Sequence, residues 1–207
     1  MNKVIAISGF PGSGKTSLML ELNKKIDAVC IDYDDYQTIT ERPITEISKW
    51  MEEGANYDDF VAPALVEDLR NLKHGESITA PDGVSIIEPT QCIFFETPLG
   101  REHQELGKNI DIAVWIDVPL DVALARNVQG FSRIFSSHNH LQELKDDLAW
   151  LDMYFGNYLE YVRPMLVSQQ QRLQNSADII IDGGPGLEVI CSSFIDLLQQ
   201  EWSVEIG

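Results

Sequence analysis

The sequence predicts an α/β fold in three layers, a doubly wound parallel sheet of about five strands with helices on both faces. Three observations carry this. Apolar runs of strand length alternate with helix-period patterns along the chain, and the first run leads into a glycine-rich loop that opens a helix. No internal repeat or low-complexity linker breaks the alternation.

Strands are expected at Lys3 to Ser8, Ala28 to Asp32, Cys92 to Glu96, Ile112 to Asp117 and Ile179 to Asp182. Helices are expected at Lys15 to Lys25, Thr45 to Glu53, Phe60 to Lys73, Arg101 to Gly107, Leu120 to Val128 and Gly186 to Trp202. A long helix is expected from His140 to Gln174, because Leu144, Leu148, Leu151, Tyr154, Phe155, Leu159, Val162 and Leu166 keep a spacing of three to four. Pro164 removes a backbone donor and bends that helix just before it. Pro81-Asp82-Gly83 is a turn signal between two short alternating segments, which predicts a small hairpin over residues 77–87.

With 207 residues and 44% hydrophobic side chains, the chain has enough apolar mass for one core, so a single domain over 1–207 is expected. No apolar run approaches the ~20 residues that cross a bilayer, and the first residues lack a signal peptide's apolar region. A cytoplasmic protein with no membrane partner is the expectation. Cys30, Cys92 and Cys191 are widely spaced within apolar stretches, as reduced core thiols would be. The net charge of −18 repels phosphate backbones, which argues against a nucleic-acid partner. Monomer and homodimer both stay open.

Gly9-Phe10-Pro11-Gly12-Ser13-Gly14-Lys15-Thr16 matches the phosphate-loop pattern G-x-x-x-x-G-K-[ST] without a departure. Gly9, Gly12 and Gly14, with Ser13, let main-chain N–H groups turn inward around a triphosphate. The positive end of the helix that continues through Ser17 points at the same anion. Lys15 supplies a point charge for the outer phosphates, and Thr16 a hydroxyl ligand for Mg²⁺. ATP and Mg²⁺ are the cofactors this loop implies. The guanine-reading Asn/Thr-Lys-x-Asp signature is lacking.

Phosphoryl transfer also needs an acid for the metal and a group that orients or deprotonates the acceptor hydroxyl. Strand C-termini face the ligand crevice of such sheets. Asp34, in Asp32-Tyr33-Asp34-Asp35, is the preferred general base, with Asp32 and Asp35 as alternatives. Glu96 ends an apolar run in the manner of a metal-supporting acid. Asp117 repeats that pattern but precedes Pro119 and a helix start, so helix capping is its expected role.

The order of these features resembles the uridine kinase branch of the P-loop nucleoside and nucleotide kinases. The resemblance rests on Gly9 to Thr16, Asp34-Asp35-Tyr36, the Pro81-Asp82-Gly83 hairpin and Ile93-Phe94-Phe95-Glu96. It continues through Ile116 to Arg126, Tyr161 to Pro164 and Ala177 to Gly183. It implies a P-loop kinase fold with a helical lid over about 126–140, and transfer of the ATP γ-phosphate to a hydroxyl of a small-molecule acceptor. The lid arginines it implies are Arg126 and Arg133, while Asn127, Gln129 and Gly130 stand where uridine kinases carry further arginines. Arg163 and Arg172 on the long helix are candidates to compensate. The hairpin also lacks the Tyr, His and Arg set with which uridine kinases grip their nucleoside.

Three further signals receive plain structural readings. His138-Asn139-His140 is a polar loop before a helix rather than a zinc site, having no third ligand at a suitable spacing. Trp150, Tyr154, Phe155, Tyr158 and Tyr161 fall at helical spacing and are expected to pack in the core, while Glu143, Asp146 and Asp147 form a solvated face. The competing function is a nucleotide-binding regulatory module with little or no transfer, which the sparse lid favours and Asp34 opposes.

Overall fold

The computed structural model describes residues 1–36 and 43–202. Its five-stranded sheet is built from β1 (Lys3–Gly9), β2 (Ala28–Asp32), β5 (Cys92–Glu96), β6 (Ile112–Asp117) and β7 (Ile179–Asp182). The order is β2-β5-β1-β6-β7, and every neighbouring pair is parallel. Four of these strands have the bounds expected from sequence, and the first extends one residue further, into Gly9. The strands are legible because each is a nearly continuous apolar run, as burial on both faces demands. Val4, Ile5, Ala6 and Ile7, with Cys92 to Phe95, are fully buried.

Helices cover both faces. α1 (Lys15–Asn23) packs with α8 (Leu187–Trp202), while α3 (Pro63–His74) lies against β1 and α7 (Arg163–Ser176) against β6. The short α4 (Gln104–Gly107) packs with α3, and α2 (Ile44–Glu52) precedes α3 in the chain. β3 (Ile78–Thr79) and β4 (Ile86–Ile87) pair antiparallel outside the main sheet, at the position expected for a hairpin. No helix among the described residues is long and apolar enough to cross a membrane.

Helix boundaries depart from expectation for local reasons. α3 begins at Pro63 rather than Phe60, because a proline suits a first helical turn and residues Tyr57–Asp59 form a 3₁₀ turn capped by Asn56. α4 begins at Gln104 rather than Arg101, where His103 accepts the Leu106 N–H. α5 (Leu120–Phe135) runs well past Val128. Gly130 weakens a helix by up to ~1 kcal/mol, but Phe131 and Phe135 hold the extension against α6 (Leu141–Asn157).

Phe131 lies 4.8 Å from Trp150 and 5.2 Å from Tyr154, both edge-on. These aromatics form a seam between α5 and α6 instead of joining the core; of the series only Tyr158 is buried there. The long helix expected from His140 is interrupted by a π-helical turn, Tyr158–Val162, just before Pro164. The Arg163 N–H reaches back five residues to the Tyr158 carbonyl. A proline cannot donate to the carbonyl four residues before it, and the widened turn accommodates the resulting mismatch.

Candidate active site

The parallel register brings acids to one end of the sheet. Asp32 pairs with Glu96, Glu96 with Ile7, Gly9 with Ile116, and Asp117 with Asp182. The phosphate loop therefore leaves the central strand between the ends of β5 and β6, in the crevice where doubly wound sheets bind ligands.

The loop is anchored from beneath. Phe10 is buried and meets Trp115 of β6 edge-on at 5.3 Å, and the Ser13 N–H closes a turn on the Phe10 carbonyl at 2.9 Å. Gly12 has φ +86°, and a Cβ there would stand 2.1 Å from the Ala123 carbonyl oxygen of α5. Any side chain would push α5 off the loop. Gly14, at φ +100°, caps α1 with open space around it. The N-terminus of α1 has neither a side-chain cap nor an acid in its first turn. Its free N–H groups thus suit an external anion. The buried Ser13 Oγ has no hydrogen-bond partner among the described residues, and it sits where a Cβ on Gly9 would collide with it.

Three of the residues singled out from sequence come together here. Thr16 Oγ1 donates to Glu96 Oε2 at 2.9 Å, and Lys15 Nζ lies 3.5 Å from Glu96 Oε1 and 3.3 Å from the Phe10 carbonyl. The hydroxyl and the carboxylate are hard oxygen donors side by side. Mg²⁺ in phosphate sites takes one or two such protein ligands and completes its shell with phosphate and water. These residues fit that ion, although no cluster of three or more His, Cys, Asp or Glu is poised to hold a metal among the described residues.

Asp34 lies in a 3₁₀ turn, Tyr33–Asp35, directly after β2. Asp32 caps this turn, its Oδ1 accepting the Asp34 N–H at 3.0 Å, which commits Asp32 to structure. Partial burial pushes the Asp34 carboxyl above its ordinary range, the Asp32 charge adds to this, and Lys15 opposes it. Lys15 is close enough to Asp34 to be felt there.

The arginines separate into distinct settings. Arg126 directs both guanidinium ends to the Gly183 carbonyl, at 3.1 and 3.2 Å. It borders a cavity of about 420 Å³ shared with Ser13, Gly14, Ser17 and Gly184. Arg133 is exposed in the last turn of α5, two helical turns and about 10 Å further out. Arg163 is exposed at the start of α7. Arg172 is not available to a lid: it binds the Ala55 carbonyl at 2.7 Å and Glu102 at 3.4 Å, and lies over the Tyr57 ring.

Asp117 does not cap α5, whose N-cap is Pro119 with no side-chain hydrogen bond. Its Oδ1 instead accepts from Gln174 Nε2 at 2.9 Å, Gln170 Nε2 at 3.3 Å and Trp115 Nε1 at 3.4 Å, tying α7 to β6. His140 caps α6 in a reciprocal pair with Glu143, and His138 Nδ1 contacts Asp147 at 2.8 Å, so both histidines serve the helix start. Sequence reasoning missed the Phe10 anchor and the Gly12–Ala123 contact, since neither distance in space is visible in spacing. Gly183, by contrast, follows an acid at a strand end, and that was a readable hint.

No protein-family model matches the chain. It is similar to uridine kinases: that of Clostridium tetani is 26% identical over 213 residues, covering 95% of this chain and 94% of the relative. That of Haemophilus ducreyi is 27% identical over 198 residues, covering 87% and 85%. Among solved structures, shikimate kinase from Aquifex aeolicus superposes with a TM-score of 0.49 at 17% identity, covering 98% of this chain and 99% of that one. Shikimate kinase from Bacteroides thetaiotaomicron gives 0.47 at 16% identity, covering 95% and 98%. The likeness to uridine kinases runs nearly end to end, on a sheet whose central strand feeds a complete phosphate loop.

Proposed function

We propose that this ATP-dependent kinase transfers the γ-phosphate to a hydroxyl of a nucleoside-like or other small metabolite, with Asp34 as the general base. The observation that carries the reading is Asp34 with a raised pKa, beside a phosphate loop whose Lys15 and Thr16 both touch Glu96. In the proposed step the acceptor O–H proton passes to the Asp34 carboxylate as the acceptor oxygen forms its bond to phosphorus. The bond from phosphorus to the bridging oxygen breaks, and ADP leaves. A carboxylate with a raised pKa is a stronger base, suited to taking that proton near neutral pH.

Lys15 and the loop amides hold the phosphates, and the cavity beside Arg126 and Ser17 receives the nucleoside part of ATP. Thr16 and Glu96 would hold Mg²⁺, which when bound neutralises charge on the transferring group. The α5–α6 hairpin acts as the lid, with Arg133 moving inward to exclude water and add positive charge. The proposed setting is the cytoplasm, which agrees with three cysteines that are all free thiols. The uridine kinase relatives favour this enzyme over a nucleotide-binding module without transfer.

The test is Asp34→Asn. Turnover is expected to fall about 10²–10⁴-fold, with ATP affinity within a factor of two or so when titrated with a fluorescent analogue. The wild-type rate should rise with pH as Asp34 loses its proton, through an apparent pKa above the ordinary aspartate value, because burial and Asp32 raise it. Normal turnover in Asp34→Asn on the same acceptor removes the proposed base.

A further inference from the structure

A second cavity, of about 510 Å³, lies beside the loop that leaves β5. Its walls come from α2 (Ile47, Trp50, Met51), the 3₁₀ turn at Tyr57, the loop leaving β5 (Pro98, Leu99), and the π-turn with α7 (Val162, Met165). Pro98 and Leu99 follow Glu96-Thr97 directly, so the chain that carries the acid at the phosphate loop also forms the cavity wall. The size falls within the ~300–1,000 Å³ usual for small-molecule sites. Trp50, Tyr57 and Phe60 gather on one side, with Trp50 and Phe60 rings 4.8 Å apart.

What the lining lacks decides the chemistry. Among the described residues the lining contains no acid and no base; besides Trp50 and Tyr57, its polar members are Asn157, Ser168 and Gln169. Gln169 donates to the Pro98 carbonyl, while Asn157 and Ser168 make no side-chain hydrogen bond among the described residues. Arg172, a neighbouring cation, is held by the Ala55 carbonyl and Glu102 and lies over the Tyr57 ring. A carboxylate or phosphate entering here would lose its water with no counter-charge, inside a chain of net charge −18. An ammonium would find no carboxylate among the described lining residues.

We infer that this cavity is the acceptor pocket, and that the acceptor is an uncharged alcohol with an aromatic or aliphatic body, oriented by Asn157 and Ser168. The inference rests on the kinase reading for its transfer step, though not for the binding preference. A π-turn at the wall agrees with it, since such turns recur where a helix is re-aimed at a ligand.

The experiment uses the full chain with Mg-ATP and two matched probes, methyl benzyl carbinol and phenyllactate, which differ by a methyl against a carboxylate. Binding is followed by titration calorimetry and by the fluorescence of Trp50, with Trp50→Phe removing the signal. The carbinol is expected to bind about tenfold or more tightly than phenyllactate, and to raise ADP release. Ser168→Arg, at an exposed position of the rim, is expected to shift the preference towards phenyllactate while ATP binding stays as it was. Equal or tighter binding of phenyllactate by the wild type, no binding of the carbinol at millimolar concentration, or an unchanged ratio in Ser168→Arg overturns the proposal. Carbinol binding without ADP release overturns the acceptor assignment. The kinase reading falls separately, if neither nucleosides nor other alcohols draw ADP release from the wild type.

Discussion

The phosphate loop and the second cavity are built differently. In the phosphate loop the proposed working groups are backbone amides and two side chains, fixed by a buried aromatic pair and by an α5 carbonyl packed against Gly12. On the other side the cavity wall is made of side chains from α2, α7 and their neighbouring turns, several of them half-exposed. Backbone can adopt few shapes, so the first side admits little variation. Side chains can be exchanged one at a time, which suits the second to a change of substrate without loss of the fold.

Substitutions sharpen this contrast. The largest effect is expected for Phe10→Ala, which empties a buried site between loop and sheet and should cost about 3–5 kcal/mol of stability; urea unfolding measures it, and ATP affinity should fall with it. Lys15→Ala should lower turnover about 10²–10³-fold with a melting temperature close to wild type, since among the described residues Lys15 pairs only with Glu96 and the loop's own carbonyl. Met51→Ala in the cavity wall should cost only about 1 kcal/mol and raise the KM for the acceptor while leaving that for ATP alone. An equal rise in both KM values would mean that the two sides are not independent. The smallest effect belongs to Asn127→Ala, which removes one hydrogen bond from α5 to Tyr154 of α6 and should cost about 0.5–1.5 kcal/mol, visible as a slight drop in thermal midpoint.

Strands and the phosphate loop were legible because their causes are local: continuous apolar runs for a doubly covered sheet, and fixed glycines for a tight anion cradle. Glu96 was legible for the same reason, as an acid ending such a run. Roles that depend on partners far along the chain were not. Asp117 reads as a helix cap from its neighbours Val118 and Pro119, yet its partners are Gln170 and Gln174 on α7. Arg172 reads as a spare lid charge, yet it braces Ala55 and Tyr57. The length of α5 was hidden because Gly130 signals a break locally, while the aromatic seam that overrides it joins residues on two helices.

The π-helical turn at Tyr158–Val162 amounts to one residue more than a regular helix would use. Each residue of an α-helix advances the side chains by about 100°. Deleting a single residue from this turn would therefore let α6 and α7 run as one regular helix, at the price of rotating everything after it by roughly a quarter turn. Met165 and Ser168 would swing away from the cavity, and Gln170 and Gln174 away from Asp117. The extra residue thus sets the angular phase of a whole helix, and an insertion or deletion of one position in this segment would redraw the cavity wall on α7 while leaving the phosphate loop untouched.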